Sequence, residues 1–120
     1  MIKVIPKKNT IAAEIICDVK NLKKAEIKKI KSTLNNCGMI YFRNQNLSSK
    51  NYLKFAKKLG IPADYPRLKG LNSRYSKITV VERKDTDKGP SFGEQFHTDS
   101  IYTKKPPRFT MLLSKLVPKK

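Results

Sequence analysis

Gly38-Met39-Ile40-Tyr41-Phe42-Arg43-Asn44-Gln45-Asn46-Leu47-Ser48 is the stretch on which the fold turns. It opens on a glycine, which suits a helix C-terminus because it enters left-handed backbone without a Cβ penalty. Met39 to Phe42 is then an apolar run of strand length, expected to be buried on both faces. A polar step leads to Ser48, whose hydroxyl suits the N-cap of a second helix. Helix, strand and helix in so short a span require a chain that mixes the two kinds of structure.

Working outward, Ile27, Ile30, Leu34 and Cys37 recur at helical spacing, with lysines on the opposite face. They predict a helix from an N-cap at Asn21 to about Asn36. Before it, Ile11 to Val19 reads as a strand, with Ile11, Ala13 and Ile15 in step. After Ser48, the stripe Tyr52, Phe55, Ala56 and Leu59 predicts a helix stopped by Gly60 and Pro62. Both stripes are read as core. Tyr65 to Asn72 is an irregular loop, and Lys77 to Glu82 a strand. Arg83 to Gly93 is a polar loop, and Phe109 to Val117 a last strand ended by Pro118. Nothing closes this strand-rich half, so unpaired edges are expected.

Lys and Arg number 27 against 9 Asp and Glu, a net charge of +18. Such a balance ordinarily points to a polyanion. Yet lysines outnumber arginines 22 to 5 and are spread along the chain, with 11 Ile and 8 Asn beside them. All three residue types have A/T-rich codons. With arginine scarce, weak salt-sensitive adhesion fits better than specific nucleic-acid recognition. No apolar run approaches the ~20 residues of a membrane helix. The first residues lack a secretory core, and Cys17 and Cys37 lack CxxC spacing. The expectation is a cytoplasmic protein whose two thiols are reduced and semi-buried.

The chemistry concentrates at Phe96-His97-Thr98-Asp99, which holds the protein's single histidine. On an extended backbone, His97 and Asp99 project to one side and Thr98 to the other. An imidazole and a carboxylate on one face can supply two of the three ligands of a two-histidine, one-carboxylate iron(II) site, which leaves positions open for co-substrate and oxygen. A second histidine is missing from these 120 residues. Read alone, Asp99 could instead orient His97 from behind.

At this point the chain resembles the N-terminal part of the taurine dioxygenase (TauD/TfdA) family. Gly38 to Ser48 resembles the family's helix end, strand and Phe-Arg-x-Gln-x-Leu-Ser segment. Phe55-Ala56-Lys57-Lys58-Leu59-Gly60 matches its next helix end, and Ser91 to Asp99 its proximal metal-ligand segment. Pro106 to Leu112 with Val117-Pro118 is similar to the strand that follows. The resemblance implies an α+β fold: an incomplete double-stranded β-helix (jelly roll) with two flanking helices near the N-terminus. Residues 1–120 would be the first portion of one such domain, truncated before the distal metal ligand. It further implies an iron(II)- and 2-oxoglutarate-dependent dioxygenase. Such an enzyme hydroxylates a small organic substrate, anionic ones included, using O2 and releasing succinate and carbon dioxide.

The resemblance makes His97 and Asp99 metal ligands and puts Tyr65 where taurine-specific members place a substrate tyrosine. The family's Gly-Gly-Asp-Thr motif, distal histidine and co-substrate arginine fall after Lys120, so no 2-oxoglutarate-binding residue is assigned. Phe96 replaces a tryptophan, Pro62 a substrate histidine and Gly93 a loop asparagine. These changes argue against taurine itself. The isolated chain is expected to be inactive, homo-oligomers are allowed, and no membrane partner is expected. A basic nucleic-acid or anion-binding module without catalysis is the competing class.

Overall fold

The computed structural model describes residues 2–117. The chain divides into two units, Met1–Ile61 and Pro62–Lys120. The first holds all the regular sheet and both helices: β1 (Lys3–Pro6), β2 (Ala12–Ile16), α1 (Lys24–Cys37), β3 (Met39–Tyr41) and α2 (Ser49–Leu59). β1 and β2 form an antiparallel hairpin, with Lys3 opposite Ile16 and Pro6 opposite Ala13. β3 pairs with β2 in parallel, Ala12 opposite Met39, so β2 is the central strand. A parallel pair needs a crossover, and α1 supplies it. The result is α+β, a three-stranded sheet carrying two helices.

Burial follows the pleat. Ala13 and Ile15 lie on one face of β2, and both are almost completely buried. Ile30 of α1 is fully enclosed, and Val19, Leu22, Leu47 and Phe55 complete the core. Of each helical stripe one residue is fully buried, Ile30 and Phe55, while Ile27, Leu34, Tyr52 and Leu59 are half-covered. The Phe55 ring meets Phe42 edge-on, with centroids 5.6 Å apart, an arrangement that the ring quadrupoles favour.

Four sequence expectations are corrected. Asn21 does not cap α1. It ends a short 3-10 turn, Val19–Asn21, and its side chain donates to Asp18 at 2.9 Å. The helix starts after Lys23, whose N–H donates to the Glu26 carboxylate at 2.9 Å, so an N3 glutamate closes the end. Met39 to Phe42 is not buried on both faces: Met39 is half exposed, because among the described residues β3 has β2 alone as a neighbour. Lys77 to Glu82 and Phe109 to Val117 are not strands. Gly70 and Thr79 make an isolated bridge, and Val80, Val81, Leu112 and Leu116 are exposed. Their composition is right for strands, but a strand needs a neighbour to take its N–H and C=O groups.

Other readings stand. Ser48 caps α2, accepting from the Asn51 N–H at 3.3 Å. Ser48→Ala should lower stability by about 1 kcal/mol, measured by chemical denaturation followed through the helical signal. Gly38 ends α1 with φ +81° and donates its N–H to the Leu34 carbonyl at 2.8 Å. Cys17 and Cys37 are free and half-buried. Burial, then the nearby Glu26 and Asp18 carboxylates, raises the Cys17 thiol above its ordinary pKa, so it is a poor nucleophile. Pro118 lies outside the described residues, and among those residues no helix is long and apolar enough to cross a membrane.

A polar cluster ties the three strands together. Glu14 of β2 lies 3.1 Å from Lys7 Nζ and 3.3 Å from Arg43 Nε, and accepts from the Tyr41 hydroxyl at 3.2 Å. The Lys7 hydrogen bond holds the Glu14 carboxyl below its ordinary 4.5, helped by Tyr41 and the two cations and opposed by burial. The unfolded chain therefore takes up this proton more readily than the folded one. Glu14's contribution is complete above 4.5 and is lost as pH falls through the lower folded value. Glu14→Gln should flatten that part of the acid-denaturation profile, measured by denaturant midpoints over a pH series descending from neutrality.

In the second unit the backbone is mostly turns and irregular loop. Leu71 N–H donates to Ile78 C=O at 2.6 Å, and Asn72 caps a 3-10 turn at Ser73–Tyr75. A Cβ at Gly70 would run into the Ser76 backbone, so this crossing requires glycine. Lys77 pairs with Asp64. The polar loop is ordered by Arg83, which donates to the Gly89 carbonyl at 2.9 Å, and by Asp87, which accepts from the Lys84 N–H at 2.9 Å.

Candidate metal centre

Residues 91–99 form a turn at Phe92-Gly93 followed by irregular backbone rather than a ladder, and three local contacts set their course. Ser91 N–H donates to the Glu94 carboxylate at 2.5 Å, which tightens the first turn. Gly93 has φ +75°, a conformation that glycine adopts without strain. A Cβ there would meet His97 Cε1 at 3.4 Å, an ordinary contact, so the backbone conformation rather than space calls for glycine. Gly93, Glu94, Gln95, Phe96 and His97 line an open concavity of about 300 Å³.

The structure brings His97 and Asp99 together. His97 Nε2 lies 3.3 Å from Asp99 Oδ1, and both side chains are partly exposed. His97 Nδ1 is 2.6 Å from the Gln95 carbonyl oxygen. That carbonyl can only accept, so Nδ1 carries a proton. Nε2 faces a carboxylate oxygen. A contact at that distance holds either a ring proton donated to Asp99 or a cation between the two atoms.

A metal ion fits. Donors bound at about 2.1 Å in neighbouring positions of an octahedral ion stand about 3.0 Å apart. The 3.3 Å separation of Nε2 and Oδ1 is close to that span. Asp99 Oδ2 is engaged elsewhere, accepting from Thr110 Oγ1 at 2.5 Å, which leaves Oδ1 for the ion. An imidazole nitrogen and one carboxylate oxygen suit a divalent first-row metal, with further ligands still required. Among the described residues no group of three or more His, Cys, Asp and Glu side chains converges on one point.

The Tyr65 ring meets Phe92 edge-on, with centroids 6.3 Å apart. Phe92 precedes Gly93, so Tyr65 abuts the ligand segment, and no contact of Tyr65 with His97 or Asp99 is seen. Tyr102 packs under Arg67, whose guanidinium lies 4.8 Å from the ring centroid. Gln45 is structural: it accepts from the Val19 N–H and donates to the Cys17 and Arg43 carbonyls. Sequence reasoning missed Gln95 and Thr110. Gln95 acts through its backbone, which no side-chain pattern reveals, and Thr110 sits eleven residues from its partner in a segment without regular structure.

A crystal structure from Burkholderia xenovorans, assigned as an alpha-ketoglutarate-dependent taurine dioxygenase, resembles this chain with a TM-score of 0.56 and 24% identity. The likeness covers 63% of this chain and 28% of that one, and shows a shared fold over that portion. The chain thus spans well under a third of that structure's length. Over residues 3–120 the sequence matches the Taurine catabolism dioxygenase TauD, TfdA family, and the chain belongs to that family.

Proposed function

We propose that this chain is the metal-proximal part of an Fe(II)- and 2-oxoglutarate-dependent dioxygenase acting on a small organic substrate. The observation that carries this reading is the facing pair His97 Nε2 and Asp99 Oδ1, with the imidazole tautomer set by Gln95. Family membership supports it. When bound, iron(II) would supply oxygen activation coupled to decarboxylation of 2-oxoglutarate, giving succinate, carbon dioxide and a hydroxylated substrate. His97 and Asp99 would hold the metal on one side and leave the other open. Tyr65 and Phe92 would form an apolar wall for the substrate beside the ligand segment.

On this reading residues 1–120 are the first portion of one jelly-roll domain, in which the exposed Val80, Val81, Leu112 and Leu116 find strand neighbours. The distal histidine and the co-substrate arginine would be encoded after Lys120. The test is an anaerobic titration with Fe(II) and 2-oxoglutarate, following the visible charge-transfer band of the chelate. The 120-residue chain should give no band, and a chain continued in its reading frame should give one that disappears with His97→Ala. A band that survives His97→Ala refutes the ligand assignment.

One observation favours a second reading. From Val19 to Ile61, Glu26 is the sole carboxylate side chain against eleven lysines and arginines. A basic module binding polyanions would show an affinity for duplex DNA that falls steeply with salt, independent of His97 and of added metal.

A further inference from the structure

Resting on the metal reading above, we infer that Thr110 is a positioning residue for the carboxylate ligand, selecting one-oxygen binding by Asp99. The two oxygens of Asp99 have different surroundings. Oδ1 faces His97 Nε2 at 3.3 Å, while Oδ2 accepts from Thr110 Oγ1 at 2.5 Å. A hydroxyl proton on Oδ2 fixes the plane of the carboxylate and withdraws that oxygen from the metal. Without it, an aspartate more than one third exposed is free to turn about its side-chain torsions and present both oxygens. Two-oxygen binding would fill a coordination position that must stay open for small molecules.

The contact also has a reach that the ligand segment lacks by itself. His97 is steered from within its own turn, by Gln95 two residues back. Asp99 is steered from the irregular segment that begins after Pro106-Pro107-Arg108. The position of that segment is thereby coupled to the coordination mode of Asp99. Thr110 touches no reacting atom; it acts through Asp99.

The experiment titrates the chain with Co(II) alone, reading affinity and the visible ligand-field spectrum, up to concentrations at which a weak two-ligand site fills. Four proteins are compared: the unaltered chain, His97→Ala, Thr110→Val and Thr110→Ser. Thr110→Val keeps the shape and removes the proton donor; Thr110→Ser keeps the donor. The unaltered chain should bind in a His97-dependent way. Thr110→Val should give an altered spectrum, as the second Asp99 oxygen enters the coordination, and an affinity changed on the order of 10-fold, and Thr110→Ser should restore both. If Thr110→Val binds as the unaltered chain does, the positioning role is overturned and the metal site stands. Equal change in both variants also overturns it, since packing rather than the hydroxyl would be responsible. If the unaltered chain shows no His97-dependent binding, the metal reading and this inference fall together.

Discussion

Replacing His97 by alanine is expected to remove specific divalent-metal binding altogether, and Asp99→Ala to do the same. The reason is geometric. The described residues offer two side-chain donors at this point, His97 Nε2 and Asp99 Oδ1, and neither belongs to a larger cluster that could compensate. A single remaining donor leaves an ion held no better than at any surface carboxylate. The two variants should differ without metal: His97→Ala removes the ring that faces Asp99, whereas Asp99→Ala leaves Thr110 without its acceptor. In a chain carrying the complete site, both substitutions should abolish 2-oxoglutarate turnover while leaving the fold of the first unit intact. Turnover assays alongside far-ultraviolet circular dichroism check both statements, and retained turnover in either variant would contradict the ligand assignment.

Ile30→Ala should be among the most damaging substitutions in the first unit, lowering stability by about 2–5 kcal/mol. Ile30 is fully enclosed, on the helix that crosses over between β2 and β3 and packs against both. Removing its branched side chain leaves a void where the sheet and α1 meet, and neither element can close it without disturbing the parallel pairing of Ala12 with Met39. Ile61→Ala is the natural control. Ile61 is 98% exposed, so its loss should change stability by no more than about 0.5 kcal/mol. Denaturant midpoints of the two variants should separate clearly; equal midpoints would mean that α1 does not seal the core.

The first unit was legible in the sequence because local chemistry and tertiary packing agree there. Ser48 is an N-cap in pattern and in fact, and Gly38 closes α1 with a positive φ. Where one residue off the expected start did the same work, the reading slipped: Asn21 looks like a cap, but Glu26 reaching back to Lys23 defines the helix end. The second unit was legible only in part. Val80 and Val81 carry strand composition, but pairing is a property of two segments, and one sequence window shows one of them. His97 and Asp99 could be placed together because they are two residues apart. The Gln95 carbonyl and the Thr110 hydroxyl, which contact those two side chains, could not be read from spacing.

The division of labour around His97 also bears on the chain's basic character. Glu14 and Asp64, two of the few carboxylates, are neutralised by Lys7 with Arg43 and by Lys77. Asp99 has no lysine or arginine as an ion-pair partner among the described contacts; its neighbours are the His97 ring and the Thr110 hydroxyl. In a chain of net charge +18, Asp99 is thus a carboxylate that faces an imidazole and a hydroxyl rather than an ammonium or guanidinium group.

The most direct measurement is Mn(II)-induced line broadening of the backbone amide signals of the uniformly labelled chain. Broadening centred on Gly93 to Asp99, with Thr110 next within the second unit, is the result expected of a metal held by His97 and Asp99. Broadening centred on other carboxylates, or an unchanged pattern in His97→Ala, would contradict that assignment.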